Sequence, residues 1–467
     1  TLLVRPVGGS SAPKFWRGLS EAAAPHSEEA EAEVAAPQKE KPLLASPDPR
    51  VHRADDVGKI YRIDPEELKK IFPEGLCGEL HNVLYGKRTK EEDQRNDKWW
   101  DLVLKDAPGI LIRKQAMQLI SSLYCLSKNG VKKGNPRINT AGFLLDGASG
   151  SGKSTILNHV VHWARMTGDW FVIFVPQAHR LVSGLGYFAR RDPEPGPGKI
   201  ILNPGDAQPF LAHMVAANAD KAKKIPFIKN ISQFEAANIA EAVQQLQALS
   251  TEQRHAQAMD CFLDVLDSIR VQTEFPVLLA IDEFNSLLGT SLYMDYQLKL
   301  IPCKDVEIAA ALARFTPDAF ARGVTVGAST RTGQFCNIPL PKPLSKQHNK
   351  HLIVDNYSRE DIKRYMTYLY NVQNLFTPVT EDLVDYMHFT TQGRARIVEE
   401  YCGCEVFNHG LHNLPKTKQV GRWYRLNEGG PDTLFDPRTG KAQRFYTHME
   451  LRAAREAEEA RKLAEDA

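Results

Sequence analysis

Neither sign of charge dominates this chain. Across 467 residues, 59 Lys and Arg face 57 Asp and Glu, a formal net charge of +2. That balance excludes a protein that coats nucleic acid along its whole surface, while local basic patches remain compatible with it. Long apolar runs are missing too: no stretch reaches the roughly 18 apolar residues of a membrane-spanning helix, so none is expected. Cysteine is sparse, with 7 residues at positions 77, 125, 261, 303, 336, 402 and 404. An odd, scattered set offers no disulfide framework and points to a reducing compartment. Cys402-Gly-Cys404 with His409 and His412 matches no common structural zinc spacing, so thiols of the ordinary buried kind are expected there. No internal repeat is evident. Also absent is Asn-Lys-x-Asp or Thr-Lys-x-Asp, the guanine-reading signature of small G proteins, so no motif fixes a base.

What is present is concentrated at residues 147–154, Gly-Ala-Ser-Gly-Ser-Gly-Lys-Ser. This fits G-x-x-x-x-G-K-[ST], the phosphate-binding loop of nucleoside triphosphatases. The glycines let the backbone turn tightly and aim N–H groups at an anion, and the following helix N-terminus adds partial positive charge. Gly147, Ser149, Gly150, Ser151, Gly152, Lys153, Ser154 and Thr155 are the expected nucleotide ligands. Lys153 would reach the β- and γ-phosphates, and the Ser154 hydroxyl would hold Mg²⁺. The context fits: the apolar run 141–146 suits a buried parallel strand, and 155–164 has helical spacing, with Ile156, Val160 and Trp163 on one stripe. A flexible Gly/Ser linker would have no reason to carry Gly-Lys-Ser between two such segments.

A second apolar run, Val277-Leu-Leu-Ala-Ile281, ends in Asp282-Glu283. Asp282 would hold the Mg²⁺, and Glu283 would orient and deprotonate the attacking water. The plain alternative is a strand that happens to end in two acids. The run 324–328 leads into Ser329-Thr330-Arg331, where Thr330 is the candidate for a γ-phosphate contact, against a simple strand-to-loop turn. Gly393-Arg-Ala-Arg396 opens a helix from which Arg396 would swing toward the phosphates, against the usual surface ion pair.

Short apolar strands separated by helical segments predict an α/β P-loop fold, a parallel sheet with helices on both faces. The expected core strands are 142–146, 170–175, 277–281, 324–328 and 352–355. Residues 1–50 read as a disordered or extended arm, and 51–109 as an N-terminal extension with a strand near 58–63 and a helix over 64–72. The nucleotide-binding domain spans 110–350, with 110–123 read as helix and an insertion at about 180–275. That insertion holds a Pro/Gly stretch at 192–209 and helices over 231–270. A small helical domain follows at 351–410, its first helix opened by a Ser358-x-x-Asp361 capping box. Residues 411–467 form an extension, irregular over 411–446, in which Lys and Arg alternate with Trp423, Tyr424, Phe435, Phe445 and Tyr446. That segment either meets RNA phosphates and bases or packs on its own domain. The first 20 residues carry Arg5, Lys14 and Arg17 and no acid, like the tail of an organelle transit peptide or an ordinary disordered terminus.

Particular pieces go further. Leu111-Ile-Arg-Lys-Gln-Ala-Met, the phosphate loop with Leu157-Asn-His-Val-Val-His162, and Trp170-Phe-Val-Ile-Phe-Val-Pro-Gln-Ala-His179 stand in order before Val354-Asp-Asn-Tyr-Ser358 and the 396–401 helix. In these the chain resembles the GTP-binding death-associated protein family of the mitochondrial small ribosomal subunit, from near Leu111 to Tyr401. The resemblance implies an AAA-like fold binding a purine nucleotide, GTP, GDP or ATP, with Mg²⁺. It also implies a mainly structural role in the head of the small subunit near the subunit interface. The expected partners are small-subunit rRNA and neighbouring mitoribosomal proteins, with a contact to the large subunit. Gly147, Gly152, Lys153, Ser154 and Asp282 carry over directly. The position after that aspartate is not an acid in every member; Glu283 here keeps slow GTP or ATP hydrolysis chemically open. Two other readings stand beside it. One is an AAA-type ATPase that remodels protein or nucleic acid, needing an arginine finger for which Arg314, Arg322 and Arg331 are candidates. The other is a signalling switch whose helical domain moves with nucleotide state.

Overall fold

The computed structural model describes residues 41–63, 65–77, 109–129, 142–184, 189–191, 200–295, 297–316, 319–331, 349–371, 375 and 378–403, with the strand backbones at 424–425, 433–436 and 441–444. Residues 1–40 of the arm expected over 1–50, the terminal segment 445–467 and Cys336, Cys404, His409 and His412 lie outside them; residues 41–50 are not a loose arm, since Leu44 bridges Ile60 and a 3-10 turn starts at Pro49.

In chain order the elements that position the site are β1 (Ile60–Arg62), α1 (Pro65–Ile71), β2 (Gly109–Leu111), α2 (Lys114–Asn129), β3 (Gly142–Asp146), α3 (Lys153–Thr167) and β4 (Phe171–Val175). Next come β5 (Ala189–Arg191), β6 (Ile200–Leu202), α4 (Pro204–Ala217), α5 (Ile239–Ala248), α6 (Thr251–Val271) and β7 (Val277–Ile281). The second half holds β8 (Thr290–Met294), β9 (Leu300–Pro302), α7 (Glu307–Leu312), β10 (Gly323–Ala328) and β11 (Asn349–Ile353). Helices α8 (Arg359–Asn371), α9 (Glu381–Thr391) and α10 (Ala395–Gly403) follow, then β12 (Tyr424–Arg425), β13 (Thr433–Asp436) and β14 (Lys441–Arg444).

Five strands form one parallel sheet in the order β11-β3-β10-β7-β4. The central strands are largely apolar because both faces are covered, with Thr325 in β10 and Asp146 at the end of β3 as exceptions. Alternate side chains feed two cores. Phe171, Ile173, Val277, Leu279 and Ile281 pack with α4, α5, α6 and α7 on one face. Val172, Phe174, Leu278, Ala280, Val324 and Val326 pack with α2 and α3 on the other. The topology matters more than the count: β10, late in sequence, is inserted between the phosphate-loop strand β3 and the acidic strand β7. The carboxyl ends of these three strands therefore lie side by side, the place where open α/β sheets bind ligands.

Several expectations need correction. Residues 110–111 are strand, not helix: β2 pairs antiparallel with β1, and Ile110 and Ile112 enter one core while Leu111 enters another. That period of two wins over a helical reading of the same apolar run, and α2 starts only at Lys114. The fifth core strand is 349–353 rather than 352–355, because its register is set by pairing with β3, from Asn349 opposite Gly142 to Ile353 opposite Asp146. As an edge strand it tolerates the polar start that hid it. Within the Pro/Gly stretch, Pro204 opens α4 at its first turn and Pro209 sits inside it. Pro at a helix start costs no hydrogen bond, so the helix begins where a loop was expected. Residues 411–446 are not wholly irregular: β12, β13 and β14 form an antiparallel meander. The Ser358–Asp361 cap read from sequence is present, the two residues exchanging bonds of 3.0 and 3.1 Å, and Thr380 caps α9 through the Leu383 amide at 3.2 Å.

The N-terminal extension is seated on α3 by polar contacts inside the core. Arg165 makes a 2.7 Å ion pair with Glu74, both side chains buried, donates to the Ile71 carbonyl and lies over the Phe72 and Phe174 rings. A few residues away, His52, His159 and His162 gather around buried Tyr61. The Ser46 carbonyl, 2.7 Å from His52 Nε2, can only accept, so His52 carries its proton on Nε2. His52 Nδ1 must then accept from His159 Nε2 at 3.0 Å, which leaves buried His159 Nδ1 unprotonated and without a partner. Burial lowers all three, His162 to about 4, and outweighs the pull of Asp48 and Asp56 on His52.

The sign follows. The unfolded histidines titrate near 6.5 and the folded ones below it, so this packing is fully stable above pH 6.5 and loses stability as pH falls toward 4. Each excluded proton costs about 1.4 kcal/mol per pH unit in that window. Melting temperature is expected to drop steeply between pH 6.5 and 4, and His162→Gln to flatten that drop. A variant slope equal to the wild-type slope would remove His162 from the account.

Candidate functional site

The phosphate loop leaves β3 at Asp146 and enters α3 at Lys153. Gly152, at φ 96°, is the helix N-cap, and Gly150, at φ 77°, sits where an added Cβ would lie 3.0 Å from Arg396 Cβ. Those two positions need glycine, the first for its backbone conformation and the second also for the approach of α10. Ser151 is fully buried and its hydroxyl has no partner among the described residues. The loop curls on itself: Lys153 Nζ donates to the Gly147 and Ala148 carbonyls at 3.0 and 2.7 Å. Burial pushes the Lys153 ammonium down, against the pull of Asp146 and Asp282, the two carboxylates that face it. A basic side chain turned onto its own loop beside an orphaned buried hydroxyl fits an anion that would take both donors.

Asp282 continues directly from β7 and is only 4% exposed. Ser154 hydrogen-bonds its carboxylate, and the Glu283 amide donates to Oδ1 at 3.0 Å. Burial and the neighbouring Glu283 charge raise Asp282 to about 7, although Ser154, the Glu283 amide and Cys77 pull it back. The pair expected to hold Mg²⁺ is thus in contact, a hydroxyl and a carboxylate, the hard oxygen donors that Mg²⁺ takes. Glu283 follows in the left-handed region at φ 57°, a conformation costing a non-glycine residue about 1–2 kcal/mol. One of its carboxylate oxygens is engaged: His179 Nδ1 pairs with Glu283 Oε2. His179 stands in the turn after β4, the neighbour of β7, so the sheet order brings these two together.

On the other side, β10 delivers Ser329, Thr330 and Arg331 between the loop and Asp282. Ser329 donates to Asp146 at 2.6 Å, and Arg331 pairs with the same carboxylate at 2.9 Å. Burial pushes Asp146 up, but Arg331, Ser329 and the Gly147 amide outweigh it and hold it below its ordinary range. Asn285 clamps Thr330 at both backbone atoms, with bonds of 2.7 and 2.9 Å. The Arg396 amide donates to the Gly150 carbonyl at 3.1 Å, which places the start of α10 on the phosphate loop. Lys153, Ser154, Asp282, Glu283, Thr330 and Arg396 thus come together. Sequence reasoning missed His179 as the partner of Glu283, and Asp146, Asn285 and Cys77 altogether. Asp146 had one visible signal, a charge at the last position of an apolar strand. Two of the arginine-finger candidates are engaged within the chain: Arg331 on Asp146, and Arg322 on the Thr273 and Glu274 carbonyls at 3.1 and 3.0 Å.

A parallel five-stranded sheet with a glycine loop between β3 and α3, and an acid ending the strand two places away, defines an AAA-like P-loop fold. Within that class the family is specific: residues 110–399 match the family described as mitochondrial ribosomal death-associated protein 3, and the chain belongs to it. It is 25% identical over 298 residues to the small ribosomal subunit protein mS29 of Bos taurus, covering 61% of this chain and 66% of that protein. It is 22% identical over 335 residues to the mS29 of Schizosaccharomyces pombe, covering 67% and 64%. The chain thus spans just under two thirds of the length of these relatives. Among solved structures, the ADP form of the Aeropyrum pernix ORC2 protein aligns with TM-score 0.34 and 12% identity, over 63% of this chain and 61% of that one.

The burial of Asp282 has a measurable consequence. In the unfolded chain it titrates near 3.8 and in the fold at about 7, so stability present below pH 3.8 is lost as pH rises toward 7. At pH 8, without Mg²⁺ or nucleotide, Asp282→Asn is expected to stabilise the protein by on the order of 2–4 kcal/mol. The gain should vanish near pH 4. Thermal melts at the two pH values check this, and a variant that melts no higher than wild type at pH 8 refutes it.

Proposed function

We propose that the chain is a structural component of the mitochondrial small ribosomal subunit, in the subunit head near the interface. In that role it binds a purine nucleoside triphosphate or diphosphate with Mg²⁺ and turns it over slowly or not at all. Its partners in this reading are small-subunit rRNA and neighbouring mitoribosomal proteins, and its compartment is the mitochondrial matrix. Family membership supports the ribosomal half. The observation that carries the nucleotide half is the contact of Ser154 with Asp282 at the mouth of the phosphate loop. Gly147, Ser149, Gly150, Ser151, Gly152, Lys153 and Thr155 would hold the phosphates, Ser154 and Asp282 the metal, and Arg396 and Thr330 the distal phosphate. The bound metal would supply charge neutralisation at the phosphates.

Slow turnover has its own support. A general base must meet the proton it takes, and Glu283 is engaged by His179 instead. A remodelling ATPase would need an arginine supplied in trans, and two of the three candidates, Arg322 and Arg331, are committed within the chain. A ligand held without turnover, contacted by α3, β7, β10 and α10, would serve as part of the fold, stabilising the native state by mass action.

Three measurements test the reading. A tagged copy sedimented from mitochondrial lysate should migrate with the small subunit and release near-stoichiometric GTP, GDP or ATP; a free or ring-sized peak with fast ATP turnover would replace it with the remodelling ATPase. With nucleotide present, Lys153→Ala should melt below wild type by the missing ligand contribution, roughly 3 kcal/mol at a hundredfold excess over Kd. Equal melting temperatures would end the idea of nucleotide as a structural ligand. His179→Ala should raise turnover above the wild-type rate by freeing Glu283.

A further inference from the structure

Asn158 lies one helical turn beyond Ser154 on α3, so the two side chains share a face. Ser154 uses that face to hold Asp282. Asn158 uses it to grip the N-terminal extension: its Oδ1 accepts from the Cys77 amide at 2.9 Å, and its Nδ2 donates to the Cys77 carbonyl at 3.1 Å. Both polar atoms of one buried amide thus fix one residue of the extension. Cys77 is itself 6% exposed, and its thiol hydrogen-bonds Asp282. Ser154, Asp282, Cys77 and Asn158 therefore close a ring that returns to its start through one turn of helix.

The segment leading to Cys77 is anchored independently. The buried Arg165–Glu74 pair and the stacking of Arg165 on Phe72 hold 71–74 against the far end of the same helix. A cysteine that only filled space would need neither the two-point clamp on its backbone nor an acceptor as costly as a buried carboxylate. Removing a hydrogen-bond donor from such a carboxylate leaves a buried acceptor unsatisfied.

We propose that Cys77 is a positioning residue for the metal-site carboxylate, and that through it the N-terminal segment 60–77 registers whether Mg²⁺–nucleotide is bound. This rests on the nucleotide-binding reading of the same site. The thiol holds the orientation in which Asp282 also meets Ser154, so the extension docks best on a carboxylate already turned toward the metal position. Loading of the site and seating of the extension then reinforce each other, as any two events favouring one arrangement must.

The test uses the full chain as wild type, Cys77→Ser and Cys77→Val, with a fluorescent guanine or adenine nucleotide and a Mg²⁺ titration. Cys77→Val keeps the volume and loses the donor; Cys77→Ser restores a donor. The Mg²⁺ midpoint should rise about tenfold in Cys77→Val and return to within about twofold of wild type in Cys77→Ser, the scale of outer-sphere changes at metal sites. Nucleotide binding in EDTA should be the same in all three. In wild type, Mg²⁺–nucleotide should slow maleimide labelling of Cys77, followed by mass spectrometry of its peptide; this arm needs no substitution and holds even where a variant fails to fold. An unmoved midpoint in folded Cys77→Val overturns the positioning role, and labelling indifferent to Mg²⁺–nucleotide overturns the coupling. Wild type that binds nucleotide in neither condition overturns the nucleotide reading and this proposal with it, which separates the two failures.

Discussion

A carboxylate at the end of an all-apolar strand, 4% exposed, is the constraint from which the rest of the site follows. An isolated buried charge is not tolerated; it is paired, hydrogen-bonded or neutralised. Asp282 meets this with donors from three separate parts of the chain: Ser154 at the start of α3, the Glu283 amide next to it, and Cys77 in the N-terminal extension. Even so it sits near neutrality, because those donors do not offset its desolvation and the neighbouring Glu283. In the proposed reading a cation would complete a site built this way. The extension, the phosphate-loop helix and the acidic strand are tied together by one oxygen-rich point that the protein alone does not fully satisfy.

The same logic explains how the two ionisable neighbours differ. Asp146 ends β3 as Asp282 ends β7, and both face Lys153. Asp146, however, is met by a full guanidinium and a hydroxyl, and stays ionised. Its partner Arg331 lies on β10, inserted between the two strands, so the sheet order that sets Thr330 beside the loop also sets a counter-charge on Asp146. Glu283 is handled in a third way, with its backbone strained and its side chain on His179. Three acids in one cleft are thereby given three states: one held charged, one poised, and one engaged. In the proposed reading that division suits holding a phosphorylated ligand better than breaking it, since one oxygen of the group placed to act as a base is taken by His179.

How much of this was legible in the sequence depended on distance along the chain. The phosphate loop, the strand before it and the strand ending in Asp282-Glu283 are local patterns, and they fold as read. Caps are local too, and the Ser358–Asp361 box was found by spacing alone. Most of what failed depends on a remote partner; the helix opened by Pro204 is the local exception. Residues 110–111 looked helical because their apolar period is ambiguous over three residues, and only pairing with Ile60–Arg62 decides for strand. The polar start of β11 hid it until its register against β3 was visible. Cys77 and His179 carried no signal for their roles, since Asp282 and Glu283 lie far away in sequence and the contacts arise only when the sheet is assembled.

The assembled contacts share a direction. Glycine at 150 admits the start of α10 onto the phosphate loop, Asn158 draws the N-terminal extension onto the helix behind it, and β10 locks Asp146 through Arg331. Each link comes from a different part of the chain and ends within a turn of Lys153 and Ser154. Elements that converge on one loop gain little from one another unless something fills the space between them, because the loop's donors otherwise turn inward, as Lys153 does onto the Gly147 and Ala148 carbonyls. An anion that took over those donors would release the loop carbonyls and give α3, β7, β10 and α10 a common partner. In the proposed reading the ligand remains, because its loss would return Lys153 to its own loop carbonyls and let buried Asp282 take up a proton.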